Sequence, residues 1–162
     1  MNRFLFFILL ASLASASRAG AQSQADSIRF TYTVLRDSGG LIDISARLHN
    51  DSKRPAPFYT RTCNGVAYDI VADTSLLRYE PRIKCRASWP VVYVIGAGES
   101  RTIHASFRYR RRGTATGFAY RFRLVTGPYT DAEVRKGTVP AHRVLLLPGR
   151  LQKDEGKEDD GQ

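Results

Sequence analysis

The sequence predicts an all-β protein, an antiparallel sandwich of about seven to nine strands. Three observations carry this. Apolar residues recur at every second position through several short stretches, the spacing of half-buried strands. Clusters of Gly, Pro, Asn, Asp and Ser separate those stretches. No stretch shows a 3.6-residue apolar repeat long enough for an ordinary helix. The chain has 162 residues, 43% apolar and 25% charged, which suits one domain with a sizeable core.

The clearest alternation runs from Glu99 to Val125. It reads as one long hairpin, Arg101 to Tyr109 and Gly117 to Val125, joined by a loop from Arg110 to Thr116. Ile103, Ala105, Phe107 and Tyr109, then Phe118, Tyr120, Phe122 and Leu124, take the apolar face. His104, Ser106, Arg108 and Arg110, then Arg121 and Arg123, take the other.

The chain opens with a targeting pattern. Met1-Asn2-Arg3 is a short positive region, Phe4 to Ala14 an apolar run, and Ala19-Gly20-Ala21 a small-residue cleavage site. The run is too short to span a bilayer comfortably. A signal peptide over residues 1–21 is therefore expected, with secretion or release into the periplasm. Gln22 to Arg150 would form the sandwich domain.

Within that domain Ile28 to Leu35 and Leu41 to His49 alternate on either side of Asp37-Ser38-Gly39-Gly40, predicting a first hairpin. Asn50-Asp51-Ser52 is a turn that also spells a glycosylation sequon, and the turn is the reading preferred. Pro57 to Thr60 reads as a short edge strand because of its prolines. Gly65 to Ala72 reads as a strand and Leu76 to Tyr79 as its return. Trp89 to Ile95 is dense enough in apolar residues for a strand buried on both faces over part of its length, with Pro90 near its start. Thr130 with Glu133 three residues later offers a capping box for one helical turn over Asp131 to Lys136. Val144 to Leu147 reads as a last strand, ended by Pro148-Gly149. Residues 151–162 lack aromatic and β-branched side chains, and an acidic, disordered tail is expected there.

Cys63 and Cys85 are the two cysteines. In an exported chain such a pair is most simply one disulfide. Its loop of about 20 residues corresponds to about 3 kcal/mol of stabilisation.

Several of these features occur together in a familiar order. Alternating Ile42 to Leu48 runs into Asn50-Asp51-Ser52 and Pro55. Ile95 runs into Gly98-Glu99-Ser100, followed by Thr102, Ile103 and Phe107. Tyr120, Phe122 and Leu124 then close the pattern. The order resembles bacterial exported immunoglobulin-like β-sandwich domains over roughly Ile28 to Leu147. The resemblance implies an immunoglobulin-like sandwich and leaves function open. Antibody domains of this type place a tryptophan between their two cysteines; here Trp89 follows Cys85, so a loop or strand-edge staple is expected in place of one between sheets.

Formal net charge is +10, and only five of the 25 basic residues are lysines. The guanidinium fork suits phosphate and carboxylate. Arg108, Arg110, Arg111, Arg112, Arg121 and Arg123 form the candidate binding face, all on or beside the hairpin. An anionic glycan, an envelope surface or an acidic protein is the expected partner, and not nucleic acid. The same charges would also serve as a solubilising face that protects sheet edges.

Catalytic patterns are missing. No Gly-x-Ser-x-Gly occurs; His49 lies at a strand end beside Asn50 and Asp51, His104 reads as a surface histidine on the polar face of the hairpin near Arg108, and His142 has no recognisable partner. His49 reads as a solvated turn residue. No zinc spacing, calcium loop or phosphate-cradling loop is present, so no metal or cofactor is expected. The chain reads as an exported, non-catalytic binding module. The alternative is a small periplasmic enzyme or protease-inhibitor-like protein acting through a disulfide-held loop, Tyr59 to Cys63 or Glu80 to Trp89.

Overall fold

A computed structural model describes residues 24, 26–111, 117–138 and 142–151. Residues 1–23, which hold the expected signal peptide, and 152–162, which hold most of the expected tail, lie outside the described residues. Among the described residues ten strands form two packed sheets, so the expected all-β sandwich is the fold observed.

Strands β1 (Ile28–Ser38) and β2 (Leu41–Asn50) form the expected hairpin. Gly39 and Gly40 both have positive φ, 62° and 76°, which a two-residue primed turn requires. β2 next pairs with β7 (Ser100–Tyr109), and β7 with β5 (Leu77–Glu80). In the second sheet β8 (Phe118–Val125) carries β9 (His142–Pro148) along one edge. Its other edge is shared. β4 (Ile70–Ala72) pairs with its start, and β3 (Ala56–Arg61) meets its end at Phe58↔Leu124. β6 (Pro90–Ile95) completes this sheet beside β3.

β7 and β8 therefore do not form a hairpin. They belong to opposite sheets and face each other across the core, with the Phe107 and Phe118 rings 5.0 Å apart. Alternation reports that one face is buried; it does not report which strand lies at the edge. Both edges of β7 are taken by β2 and β5, and both edges of β8 by β9 and the β3–β4 pair.

Aromatic rings join the layers. Phe30 packs on Tyr120 at 5.7 Å and Tyr32 on Phe118 at 5.1 Å. Each such pair adds about 1 kcal/mol beyond the area it buries. Burial pushes the Tyr120 phenol far up, so it stays neutral in the core.

Four local expectations change. Gly65 to Tyr68 is a helical turn, α1 (Gly65–Tyr68), and only Ile70–Ala72 is strand. β3 is internal, because β6 covers its whole length on one side and β8 reaches it on the other. β6 is an edge strand with Val94 exposed, so it is not buried on both faces. Its outer face is partly covered: Val92 packs with Val125, Val134 and Tyr59. Val134 belongs to α2 (Asp131–Lys136), which has the expected capping box between Thr130 and Glu133. Finally, the chain continues past Pro148-Gly149 into β10 (Arg150–Leu151), which pairs parallel to β1. Leu151 thus belongs to the sandwich. A Cβ at Gly149 would run into the Phe118 carbonyl and the Tyr32 ring, so glycine permits this crossing between sheets.

Asn50 closes one end of the sandwich. It is fully buried at the end of β2. Its Nδ2 donates to the carbonyls of Arg54 at 2.7 Å, and of Ile95 and Gly96 at 3.1 Å. Its Oδ1 accepts from the Ser52 amide and hydroxyl. The sequon asparagine is therefore used internally, and the turn reading holds. Replacing Asn50 by Ala strands these buried carbonyls and should cost about 2–3 kcal/mol. The urea midpoint should fall with an unchanged denaturant slope; an unchanged midpoint would remove Asn50 from this role.

Candidate functional site

The structure separates the six arginines of the expected face. Arg108 projects from the outer face of β7 in the first sheet, and Arg121 and Arg123 from the outer face of β8 in the second. Arg110 and Arg111 follow β7, and Arg112 lies outside the described residues. One shared sheet face does not exist, because the two strands are in different sheets.

Arg123 is withdrawn from the surface. Where β3 leaves β8 and β4 replaces it, the chain inserts α1 and Asp69. The Asp69 carbonyl accepts from the Arg121 amide at 2.8 Å, continuing the ladder through the gap. The buried Asp69 carboxylate accepts from Arg123 Nη2 at 2.8 and 3.1 Å and from Thr60 Oγ1 at 2.7 Å. Three segments, β3, α1 and β8, are pinned by one charged side chain. The Arg123 guanidinium also lies 5.5 Å from the centre of the Tyr59 ring. This arginine is structural.

Two of the others, Arg110 and Arg121, come together at the open side of the sandwich, where edge strands β4 and β5 meet. Arg110 and Arg121 reach it from opposite sheets. With Arg78 they line a groove of about 270 Å³ that also includes Tyr68, Tyr79 and Phe107. Among the described residues neither Arg110 nor Arg121 has a carboxylate partner. Arg78 and Arg108 are register partners on β5 and β7, a like-charge pair that would repel. Glu80 relieves this repulsion, 3.5 Å from Arg78 and 3.2 Å from Arg108. Arg111 donates to the Ser75 hydroxyl at 3.0 Å. Nearby Asp73 is held below the usual carboxylate range by its hydrogen bonds from Ser75 and Leu76, with Arg111 adding to the effect.

The groove is amphipathic. Tyr79 stands edge-on to both Tyr68 and Phe107, with ring centres 5.3 and 5.8 Å away. Burial pushes the Tyr79 phenol up, so it remains a neutral donor at physiological pH. The arginines supply planar forks for a carboxylate, sulfate or phosphate, and the rings supply an apolar wall. Sequence reading missed Arg78 and Asp69. The signal for Arg78 was present, since Leu77 and Tyr79 turn inward and Arg78 and Glu80 outward. Asp69 gave none, because its burial depends on residues distant in sequence.

His49 is not merely a turn residue. It is the register partner of Ser100, and its Nδ1 lies 2.8 Å from the Ser100 hydroxyl. Its Nε2 lies 3.1 Å from Asp51, whose same oxygen accepts from Arg29 at 2.8 Å. These contacts tie the ends of β1, β2 and β7. His104 is exposed on β7, and the His142 side chain lies outside the described residues. Among the described residues no three His, Cys, Asp or Glu side chains converge as metal ligands. No helix there is long and apolar enough to cross a membrane.

Cys63 and Cys85 form the disulfide, with Cα atoms 6.5 Å apart. It joins the turn after β3 to the loop between β5 and β6, a loop staple as expected.

No protein-family model and no curated protein matches the chain. Two crystal structures of a GH20 exo-β-N-acetylglucosaminidase from Vibrio harveyi show weak structural similarity. One is an inactive D437A mutant and the other a complex with N-acetylglucosamine; each is 9% identical, with TM-scores of 0.35 and 0.33. Each alignment covers 77% of this chain and 18% of the enzyme chain.

The two neighbouring arginines of β8 should behave differently. Arg123→Ala leaves the Asp69 charge buried without its partner and should destabilise the protein by about 3 kcal/mol. Arg121→Ala should change stability by less than about 0.5 kcal/mol. Chemical denaturation of both variants makes the comparison, and equal effects would contradict the assignment.

Proposed function

We propose that the protein is an exported, non-catalytic immunoglobulin-like binding module whose arginine-lined groove takes an anionic glycan. One observation carries the reading: Arg110 and Arg121 arrive from opposite sheets in one groove, both without a carboxylate among the described residues. Unneutralised guanidiniums that converge on a concavity favour a ligand that brings the negative charge. The tyrosine and phenylalanine wall suits a ring with one apolar face, and a sugar acid or a sulfated or phosphorylated sugar combines both features. The targeting pattern at the N-terminus supports a location among envelope glycans, and the disulfide agrees with an oxidising compartment.

Binding through net charge alone would not depend on where the charge sits. A heparin column therefore compares two variants with equal charge loss, both in the chain from Gln22 onward. Replacing Arg78, Arg108, Arg110 and Arg121 with Ser should leave the fold intact and abolish retention at moderate salt. Replacing Lys53, Arg54, Arg135 and Lys136 with Ser should lower the elution salt only slightly. Equal losses from both sets would reduce the groove to a solubilising surface. Retention that is unchanged in the first set, with capture by acidic peptides instead, would replace the glycan by a protein partner.

A further inference from the structure

The segment between β5 and β6 does not contribute to the groove's arginines. Every residue from Pro81 to Ala87 is exposed, and the segment presents Arg82, Lys84 and Arg86. A loop of this composition is an obvious target for an endopeptidase that accepts basic side chains. Its anchoring is unlike that of a substrate loop.

The tethers flank the dipeptide Arg86-Ala87. On one side Cys85 is bonded to Cys63, and the Ile83 carbonyl accepts from Asn64 Nδ2 at 2.6 Å. On the other side Ser88 Oγ donates to the Thr62 carbonyl at 2.8 Å, and the Trp89 amide donates to Thr62 Oγ1 at 2.9 Å. The Thr62 amide in turn donates to the Trp89 carbonyl at 2.8 Å. Between these anchors only Arg86 and Ala87 stand untethered. All the anchors come from one short turn, Thr62-Cys63-Asn64. Around it Tyr68, Ile83 and Trp89 are 71%, 63% and 65% exposed, an apolar rim of the sort an interface buries.

We propose that this loop is a substrate-mimicking inhibitory loop for a serine endopeptidase of basic specificity, with Arg86 entering the specificity pocket and Arg86–Ala87 in the scissile position. The loop is anchored on both sides of this bond, which lowers the ordering cost added on binding. When the protease serine oxygen attacks the Arg86 carbonyl, its proton passes to the Ala87 amine as the Arg86–Ala87 bond breaks. In an ordinary substrate that amine departs. Here Ser88 and Trp89 hold it beside the acyl group, while the disulfide holds Cys85. The amine re-attacks the acyl carbon and returns the proton to the serine oxygen, which restores the peptide before water can enter. The protease stays occupied. The small Ala87 leaves the approach to this bond unobstructed.

The test uses trypsin and chymotrypsin with the disulfide-bonded chain from Gln22 onward. Stoichiometric loss of trypsin activity on a small chromogenic substrate is expected, with chymotrypsin unaffected. Arg86→Ala should weaken inhibition at least about thirtyfold. Lys84→Ala should change it less than about threefold. Arg86→Phe should transfer inhibition from trypsin to chymotrypsin, an outcome that a merely structural role would not produce. The Cys63→Ala, Cys85→Ala variant should be cleaved after Arg86 as an ordinary substrate. Rapid cleavage of the native protein without inhibition overturns the proposal, as does full trypsin activity over an intact loop. Inhibition that survives Arg86→Ala also overturns it. None of these outcomes bears on heparin retention, so the groove and the loop stand or fall separately.

Discussion

The Asp69 carboxylate is the contact on which most of the molecule depends. It sits buried where β3 gives up the edge of β8 and β4 takes it over, and it holds Thr60 from one strand and Arg123 from the other. Without it, the second sheet has a gap between two partial pairings. A charge in that position is costly to bury, and it is tolerable because both carboxylate oxygens receive donors. The segment that delivers Asp69 also carries Cys63 and Asn64, which fix the loop from Pro81 to Trp89. The same junction places β4 beside β5 and so opens the arginine-lined groove. Fold, groove and loop share one structural origin.

The positive charge divides by what each arginine does. Arg123 is bound to Asp69. Arg101 lies 4.3 Å over the Tyr93 ring, joining the start of β7 to the opposite sheet. Arg36 pairs with Asp43 at 2.7 Å, and that carboxyl is held low first by the Ser106 hydroxyl and then by Arg36 and Arg82. Arg29 and His49 share Asp51. These groups secure strands. Arg78, Arg108, Arg110 and Arg121 collect instead at the open side, where Glu80 offsets only the first two. Net charge alone does not distinguish these roles; position relative to the two sheets does.

What could be read from the sequence was local. Gly39-Gly40 defines its own turn, the Thr130 and Glu133 pair caps its own helix, and two cysteines leave one intramolecular pairing. Inward and outward faces were legible for β2, β7 and β8 because each strand alternates over most of its length. Apart from the β1–β2 hairpin, which its Gly39-Gly40 turn announces, strand partners were not, since alternation carries no information about which edge is occupied. That is why Arg108 and Arg121 were read onto one surface. The four residues of α1 are too few to display a helical period, and Val66, Tyr68 and Ile70 mimic a strand. Asp69 then looks like an outward strand residue, and only the fold brings Thr60 and Arg123 to it.

The central claim is that β7 and β8 lie in opposite sheets, with Asp69 bridging the gap between β3 and β4 along β8. Cross-strand nuclear Overhauser contacts test it most directly. Backbone contacts are expected from Ala105 to Ile44 and from Tyr120 to Ile70, with the Arg121 amide close to Asp69. A ladder of backbone contacts running directly between β7 and β8 would contradict it.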